Sequence, residues 1–306
     1  MKSRQESSQQ SRRQFGKTIL AGIPLTAAYG AASSKFGGVQ IGTISYSFRT
    51  LPAEQILPAI VKAGLSEVEL MSNHAEALLG APAVTRSPGG LPNAEGQAGL
   101  AKWRKSVSLD KFKELRKTFD AAGAGIEILC YNLPKGVSDD EIEYSFQMAT
   151  ALGVKAISST AQMATAKRVG PFADKHKIMW GGHGHDKVDD PEEFSTPESF
   201  AMIMSFGKYM GVNLDIGHFT AANYEPVAYI KEHHSRITNL HLKDRKKNHG
   251  ENLPWGQGDT PIKAVLQLLK KEKYGFPANV EYEYMGKDDP VTEVGRCVQF
   301  CKEALA

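Results

Sequence analysis

From residue 38 onward, short apolar runs of strand character alternate with longer stretches of helical period. The pattern predicts strands at Val39–Tyr46, Glu67–Met71, Ile126–Cys130, Val154–Ser158, Ile178–Gly182, Val212–Asp215, Ile237–Leu242 and Asn279–Tyr284. Helices are expected over Ala53–Ala63, Leu109–Ala122, Pro197–Met210 and Ile262–Lys270, several of them closed by glycine. Ser138, three residues before Glu141, reads as a capping box opening a helix that runs to Leu152. About eight βα units in some 270 residues fit a (β/α)8 TIM barrel, a parallel sheet closed on itself with helices outside. A doubly wound open sheet is the alternative, but no G-x-G-x-x-G or P-loop follows the first strand. Neither an internal repeat nor a second domain boundary interrupts residues 38–306.

Residues 72–107 break the rhythm. They are rich in Gly, Pro, Ala and Asn and read as one long irregular connection, the kind that serves as a lid or binding loop. The three cysteines form no disulfide framework. Cys297 and Cys301, four apart in a helical pattern, are expected on one helix face.

Composition matters mainly at the N-terminus. The chain carries +3 overall, but Lys2, Arg4, Arg12, Arg13 and Lys17 against Glu6 give the first 32 residues +4, which leaves the rest at −1. A near-neutral body has no electrostatic footprint for a nucleic-acid backbone, so no nucleic-acid partner is expected. Ser11-Arg12-Arg13-Gln14-Phe15-Gly16-Lys17 precedes a short apolar stretch and then small residues to Ser34. This leader resembles a twin-arginine export signal. It implies the export machinery as a partner, removal of residues 1–32 by cleavage between Gly30 and Ser34, and a periplasmic or extracellular product. No later stretch reaches the ~18 apolar residues of a membrane span.

Chemistry gathers at the ends of the last four strands, where a TIM barrel carries its active site. His183, Asp215, His241 and Glu281 each close one of them, separated by 26 to 40 residues, about one βα unit per step. A lone histidine at a strand end is more often structural, and Asp before Gly often serves a turn; four such residues on consecutive strands favour a shared metal site. Mixed imidazole and carboxylate donors suit one divalent ion of Mn, Co, Zn or Fe rather than Ca. Glu283 shares the face of Glu281 and is a candidate base, followed by His185 and Lys243. Glu69, His218, Tyr46 and Trp255 are candidate substrate contacts, the two aromatic rings as a wall for a sugar ring. His233-His234 reads as a surface pair.

With "LDIGH" at 214–218, "HLKDR" at 241–245, "GQGD" at 256–259 and "VEYE" at 280–283, residues 38–306 resemble the xylose isomerase-like TIM barrels, the sugar phosphate isomerase/epimerase and apurinic-endonuclease-like superfamily. The resemblance implies one divalent metal held by Asp215, His241 and Glu281. It implies His183 of "HGHD" where members commonly place Glu, with one of the epimerases' two glutamates thereby missing. It also implies proton abstraction alpha to a carbonyl and a metal-stabilised enediolate, hence an isomerase or epimerase. Export points to an unphosphorylated sugar or keto-sugar as substrate. A lyase or dehydratase acting on an oxidised (3-keto) glycoside is the alternative, and a non-catalytic sugar-binding barrel is the alternative of another class.

Overall fold

The computed structural model describes residues 33–84 and 94–306, so the leader expected at 1–32 lies outside the described residues. A hairpin opens the chain. Strand β1 (Lys35–Phe36) pairs antiparallel with β2 (Val39–Ile44) through Gly37 and Gly38, both at positive φ as a two-residue primed turn requires. Then come β3 (Glu67–Met71), β4 (Gly125–Cys130), β5 (Ala156–Ser159), β6 (Met179–His183), β7 (Met210–Asp215), β8 (Ile237–Leu242) and β9 (Ala278–Val280). Each pairs in parallel with the next, and β2 pairs with β9 through Ile41↔Ala278 and Thr43↔Val280. The sheet is therefore a closed eight-stranded parallel barrel with helices between its strands, the (β/α)8 architecture the periodicity predicts.

Alternation along each strand divides its residues between two environments. Ile41, Val68, Leu70, Leu129, Ile157, Trp180, Val212, Leu214, Leu240 and Val280 are buried in the apolar layer shared with the helices. The other set faces the barrel axis and is unusually polar. Glu69 of β3 accepts hydrogen bonds from Ser158 Oγ of β5, Asn239 Nδ2 of β8 (2.7 Å) and Asn279 Nδ2 of β9 (2.9 Å). Strands this far apart in the sheet meet only through the interior. Barrel interiors are usually filled by branched apolar side chains; this one needs its polar groups paired.

The helix over Asp139–Leu152 is capped by Ser138, whose side chain accepts from the Glu141 N–H, and ends at Gly153 in the left-handed region. The expected capping box is only half formed, because the Glu141 carboxylate turns to Arg104. The reciprocal box occurs instead at Thr196 and Ser199, opening Pro197–Ser205. Cys297 and Cys301 lie buried on the final helix, Pro290–Leu305. His233 ends one helix and His234 begins a single 3-10 turn.

Residues 72–107 differ from expectation. They contain helices at Ser72–Leu78 and Ala94–Ser106, with 85–93 outside the described residues. The second helix is rich in Ala, Glu, Gln, Lys and Arg, all good helix formers. Arg104 pins it by a two-pronged bond to the buried Glu76 (2.7 and 3.0 Å) and by Glu141 (2.6 Å). None of its described residues lines the cavity over the barrel. Several strand limits also shift. Tyr46 falls in a 3-10 turn, Ser45–Phe48, and the last ladder stops at Val280, beyond which the Tyr282 N–H donates to Ser47 Oγ in place of a neighbouring strand.

Candidate metal centre and active site

At the C-terminal end of the barrel, His183, Asp215, His241 and Glu281 each present one donor atom, and these atoms all lie within 4.8 Å of one another. All four residues are buried. The backbone and a partner fix each one. Asp215 ends β7 and caps the helix Ile216–Ala221: its Oδ1 accepts the His218 N–H at 2.8 Å, and its Oδ2 is left over. His183 Nδ1 lies 2.6 Å from Asn213 Oδ1, an acceptor, so Nδ1 carries the proton and the Nε2 lone pair is free. His241 is the reverse: its Nε2–H points at Glu69 Oε2 (2.8 Å) and Nδ1 turns to the cluster. The two imidazoles thus use opposite nitrogens because different neighbours take the other one.

Asp215 Oδ2, His241 Nδ1 and Glu281 Oε2 are buried and lack a well-formed hydrogen bond; their neighbours are one another, with His241 Nδ1 3.1 Å from Glu281 Oε2, and a lysine ammonium. Four buried donor atoms from four successive strands converging within 4.8 Å, three of them without a well-formed hydrogen bond, fit a divalent cation. Two carboxylates and two imidazoles are donors suited to Mn, Fe, Co or Zn.

A lysine sits beside them. Lys243 Nζ lies 3.1 Å from Asp215 Oδ2, 3.0 Å from Glu281 Oε2 and 2.5 Å from Glu283 Oε2. Burial works against its charge, but the Asp215, Glu281 and Glu283 carboxylates outweigh it and hold the ammonium above its ordinary range. Burial likewise disfavours the Glu281 anion, yet Lys243 and His241 keep it well below the usual carboxylate range. His183 is pushed down by burial and then by His241 and His185, which preserves its lone pair. His241 is pulled down by burial but raised overall by Glu69 and Glu281. A cation binding at its Nδ1 therefore competes with a proton.

Above the cluster is a cavity of about 320 Å³. His185 faces it, with Nδ1 2.8 Å from Glu193 Oε2, and that pairing first of all holds Glu193 at about 2. His218 also faces it, with Nε2 3.0 Å from Lys243 Nζ and Nδ1 2.6 Å from an Arg245 nitrogen. Burial, then Lys243, lowers His218, so it stays neutral between two cations. Glu283 and Tyr46 complete the rim, and Arg49 lies 4.6 Å over the Tyr46 ring.

The structure thus brings His183, His185, His218, His241, Lys243, Glu281, Glu283 and Tyr46 to one cavity, with Asp215 in the donor cluster beneath it. Two expected substrate contacts lie elsewhere. Glu69 is wholly buried beneath the cavity, its oxygens taken by Ser158, Asn239, His241 and Asn279. Trp255 does not line the cavity but packs edge-on to Phe300 of the last helix, with ring centroids 5.7 Å apart, in a loop whose Gly256 and Gly258 N–H groups donate to Asp244 Oδ2. Glu193, Asn213, Asn239 and Asn279 went unnoticed in the sequence. The asparagines had left a signal: Asn213-x-Asp215, Asn239-x-His241 and Asn279-x-Glu281 repeat on three successive strands, each asparagine one layer below a ligand.

Residues 164–304 match the model of the family described as xylose isomerase-like TIM barrel. The fold is that of the xylose isomerase-like barrels. Solved structures agree. An IOLI protein with a bound zinc atom superposes with TM-score 0.61 at 14% identity, covering 88% of this chain and 99% of that one. The probable 3-DHS dehydratase AsbF of Bacillus anthracis gives 0.60 at 13%, covering 84% and 97%. An L-ribulose 3-epimerase gives 0.59 at 13%, covering 87% and 95%. At these identities the likeness is one of fold. No curated protein matches the sequence.

Proposed function

We propose that the protein is a divalent-metal-dependent isomerase or epimerase acting on an unphosphorylated sugar or keto-sugar. The observation that carries this reading is the convergence of donor atoms from His183, Asp215, His241 and Glu281 within 4.8 Å of one another in the buried end of the barrel. An ion held by these four supplies a Lewis acid that polarises substrate oxygens and acidifies the C–H alpha to a carbonyl. The chain's own groups do the rest. Glu283 takes the alpha proton, and the electron pair left on carbon moves into an enediolate. Lys243, on the same side, offsets that charge. His185, oriented by Glu193, returns a proton from the imidazole nitrogen that faces the cavity. Return to the same carbon from the other face gives epimerisation; return to its neighbour gives isomerisation.

Charge supports an unphosphorylated substrate. Among the described cavity-lining residues Lys243 is the one lysine or arginine, and three carboxylates surround it. Arg245, behind His218, is committed to Asp186 and the Gly250 carbonyl. The leader supports the same reading through export to the periplasm, tested by whether the protein recovered outside the cytoplasm lacks residues 1–32.

A second reading is favoured by the His185–Glu193 pair. An acid separate from Glu283 can protonate a leaving oxygen, which makes elimination from an oxidised (3-keto) glycoside the alternative outcome of the same first step. The deciding experiment incubates metal-loaded protein in deuterated water with unphosphorylated ketoses and 3-keto-glycosides. Deuterium at the alpha carbon, lost in Glu283→Gln, is expected. An enone product selects elimination, and metal-replete protein that gives neither exchange nor enone on any of them overturns both readings.

A further inference from the structure

Below the metal ligands, a second carboxylate from β3 has no partner. Glu67 is 2% exposed, and neither of its oxygens takes part in a hydrogen bond. Asn279 Oδ1, wholly buried, is likewise unpaired. Both point to one spot: an ideal Cβ built on Gly42 would lie 2.4 Å from Asn279 Oδ1 and 2.7 Å from Glu67 Oε2. Gly42 leaves that space because the two side chains fill it.

The amide of Asn279 cannot be turned over to help. Its Nδ2 donates to Glu69 Oε2 at 2.9 Å, so its oxygen faces Glu67. A carboxylate there would set anionic oxygens against an amide oxygen in a site without water access, with the Glu69 and Glu127 carboxylates as further neighbours and only Lys155 opposing. We propose that Glu67 is a neutral carboxylic acid whose O–H donates to Asn279 Oδ1, and that it is a positioning residue for the metal centre. One chain then has a single polarity: Glu67 donates to Asn279, Asn279 and His241 donate to Glu69, and the Nδ1 lone pair of His241 is left for the ion. Burial, with the Glu127 and Glu69 charges, raises Glu67 well above the ordinary carboxylate range, in keeping with the geometry.

The metal-positioning half of this proposal rests on the metal-site reading above; the protonation half does not. Two measurements on the full chain separate them. The first compares metal-free wild type with Glu67→Gln, whose amide NH2 keeps the donor, by denaturant unfolding at several pH values. A group protonated when folded and ionised when unfolded loses stability as pH rises above the unfolded carboxyl value of about 4.3. The wild-type unfolding constant should therefore grow about tenfold per pH unit relative to Glu67→Gln between pH 5 and the folded value; a flat ratio overturns the neutral acid. The second titrates Zn²⁺ alone. Glu67→Gln should bind within about twofold of wild type and Glu67→Leu about 10- to 100-fold more weakly. Equal binding by wild type and Glu67→Leu overturns the positioning role, as does a matching loss in Glu67→Gln. Should wild type itself bind no Zn²⁺, Mn²⁺ or Co²⁺, the metal reading fails and the positioning role with it, while the pH series still decides the protonation of Glu67.

Discussion

Strands β6–β9 and strands β2–β5 face each other across one cavity and line it with opposite chemistry. The late half contributes His183, His185, His218, His241, Lys243, Glu281 and Glu283; the early half contributes Ile44, Tyr46, Met71, Cys130, Asn132, Ser158 and Thr160, with no charged side chain at neutral pH. The family match, residues 164–304, coincides with the late half. One side of the cavity is therefore lined by charged and imidazole groups, and the other is a wall of neutral ones. The division is not complete. Glu69 of the early half reaches beneath the cavity to orient His241, so the wall side also supports the ligand side from below.

The largest test of this division removes His241. His241→Ala should abolish stoichiometric metal in elemental analysis and destabilise the fold by about 3–5 kcal/mol in denaturant unfolding, because Glu69 and Glu281 each lose one of their partners in the interior. Next is Lys243→Met. It leaves Asp215, Glu281 and Glu283 uncompensated, and the metal-free protein should lose about 3 kcal/mol, part of it recovered on adding Zn²⁺. A metal-free protein indifferent to that change would mean that the late half does not need its charge balanced.

A smaller effect is expected at the edge of the late half. His185 depresses Glu193 to about 2 from an ordinary value near 4.3. A carboxylate lowered in the fold contributes stability above its unfolded value and loses it as pH falls through the folded one. The stability gap between wild type and His185→Ala should thus persist at pH 6 and close between about pH 4 and pH 2 in a urea series. The smallest effect belongs to the wall. Tyr46→Phe should leave metal affinity unchanged and alter KM by about threefold or less, the scale of one exposed hydrogen bond.

How far the sequence could be read follows the same division. The four clustered positions are legible because each falls at or next to a strand end, strands recur at regular spacing, and a residue's parity along a strand fixes which face it takes. Glu281 and Glu283 fall on one face by that rule, and both reach Lys243. Trp255 was less legible because a loop has no such parity, and its indole packs on Phe300 away from the cavity lining. The connection at 72–107 misled because its glycines and prolines cluster near the middle, while Arg104 bonds to Glu76 and Glu141 across sequence separations of 28 and 37 residues.

Local periodicity determined the eight βα units, the closure they imply and the strand-end residues, since hydrophobic alternation is a property of neighbours in the chain. Tertiary structure alone decided which nitrogen each histidine offers, that Glu69 serves His241 rather than a substrate, that His185 leans on Glu193, and that Glu67 meets Asn279 beside Gly42. Each of those depends on hydrogen bonds or close approaches inside a closed barrel. Strand pairing fixes only the register that lets them meet.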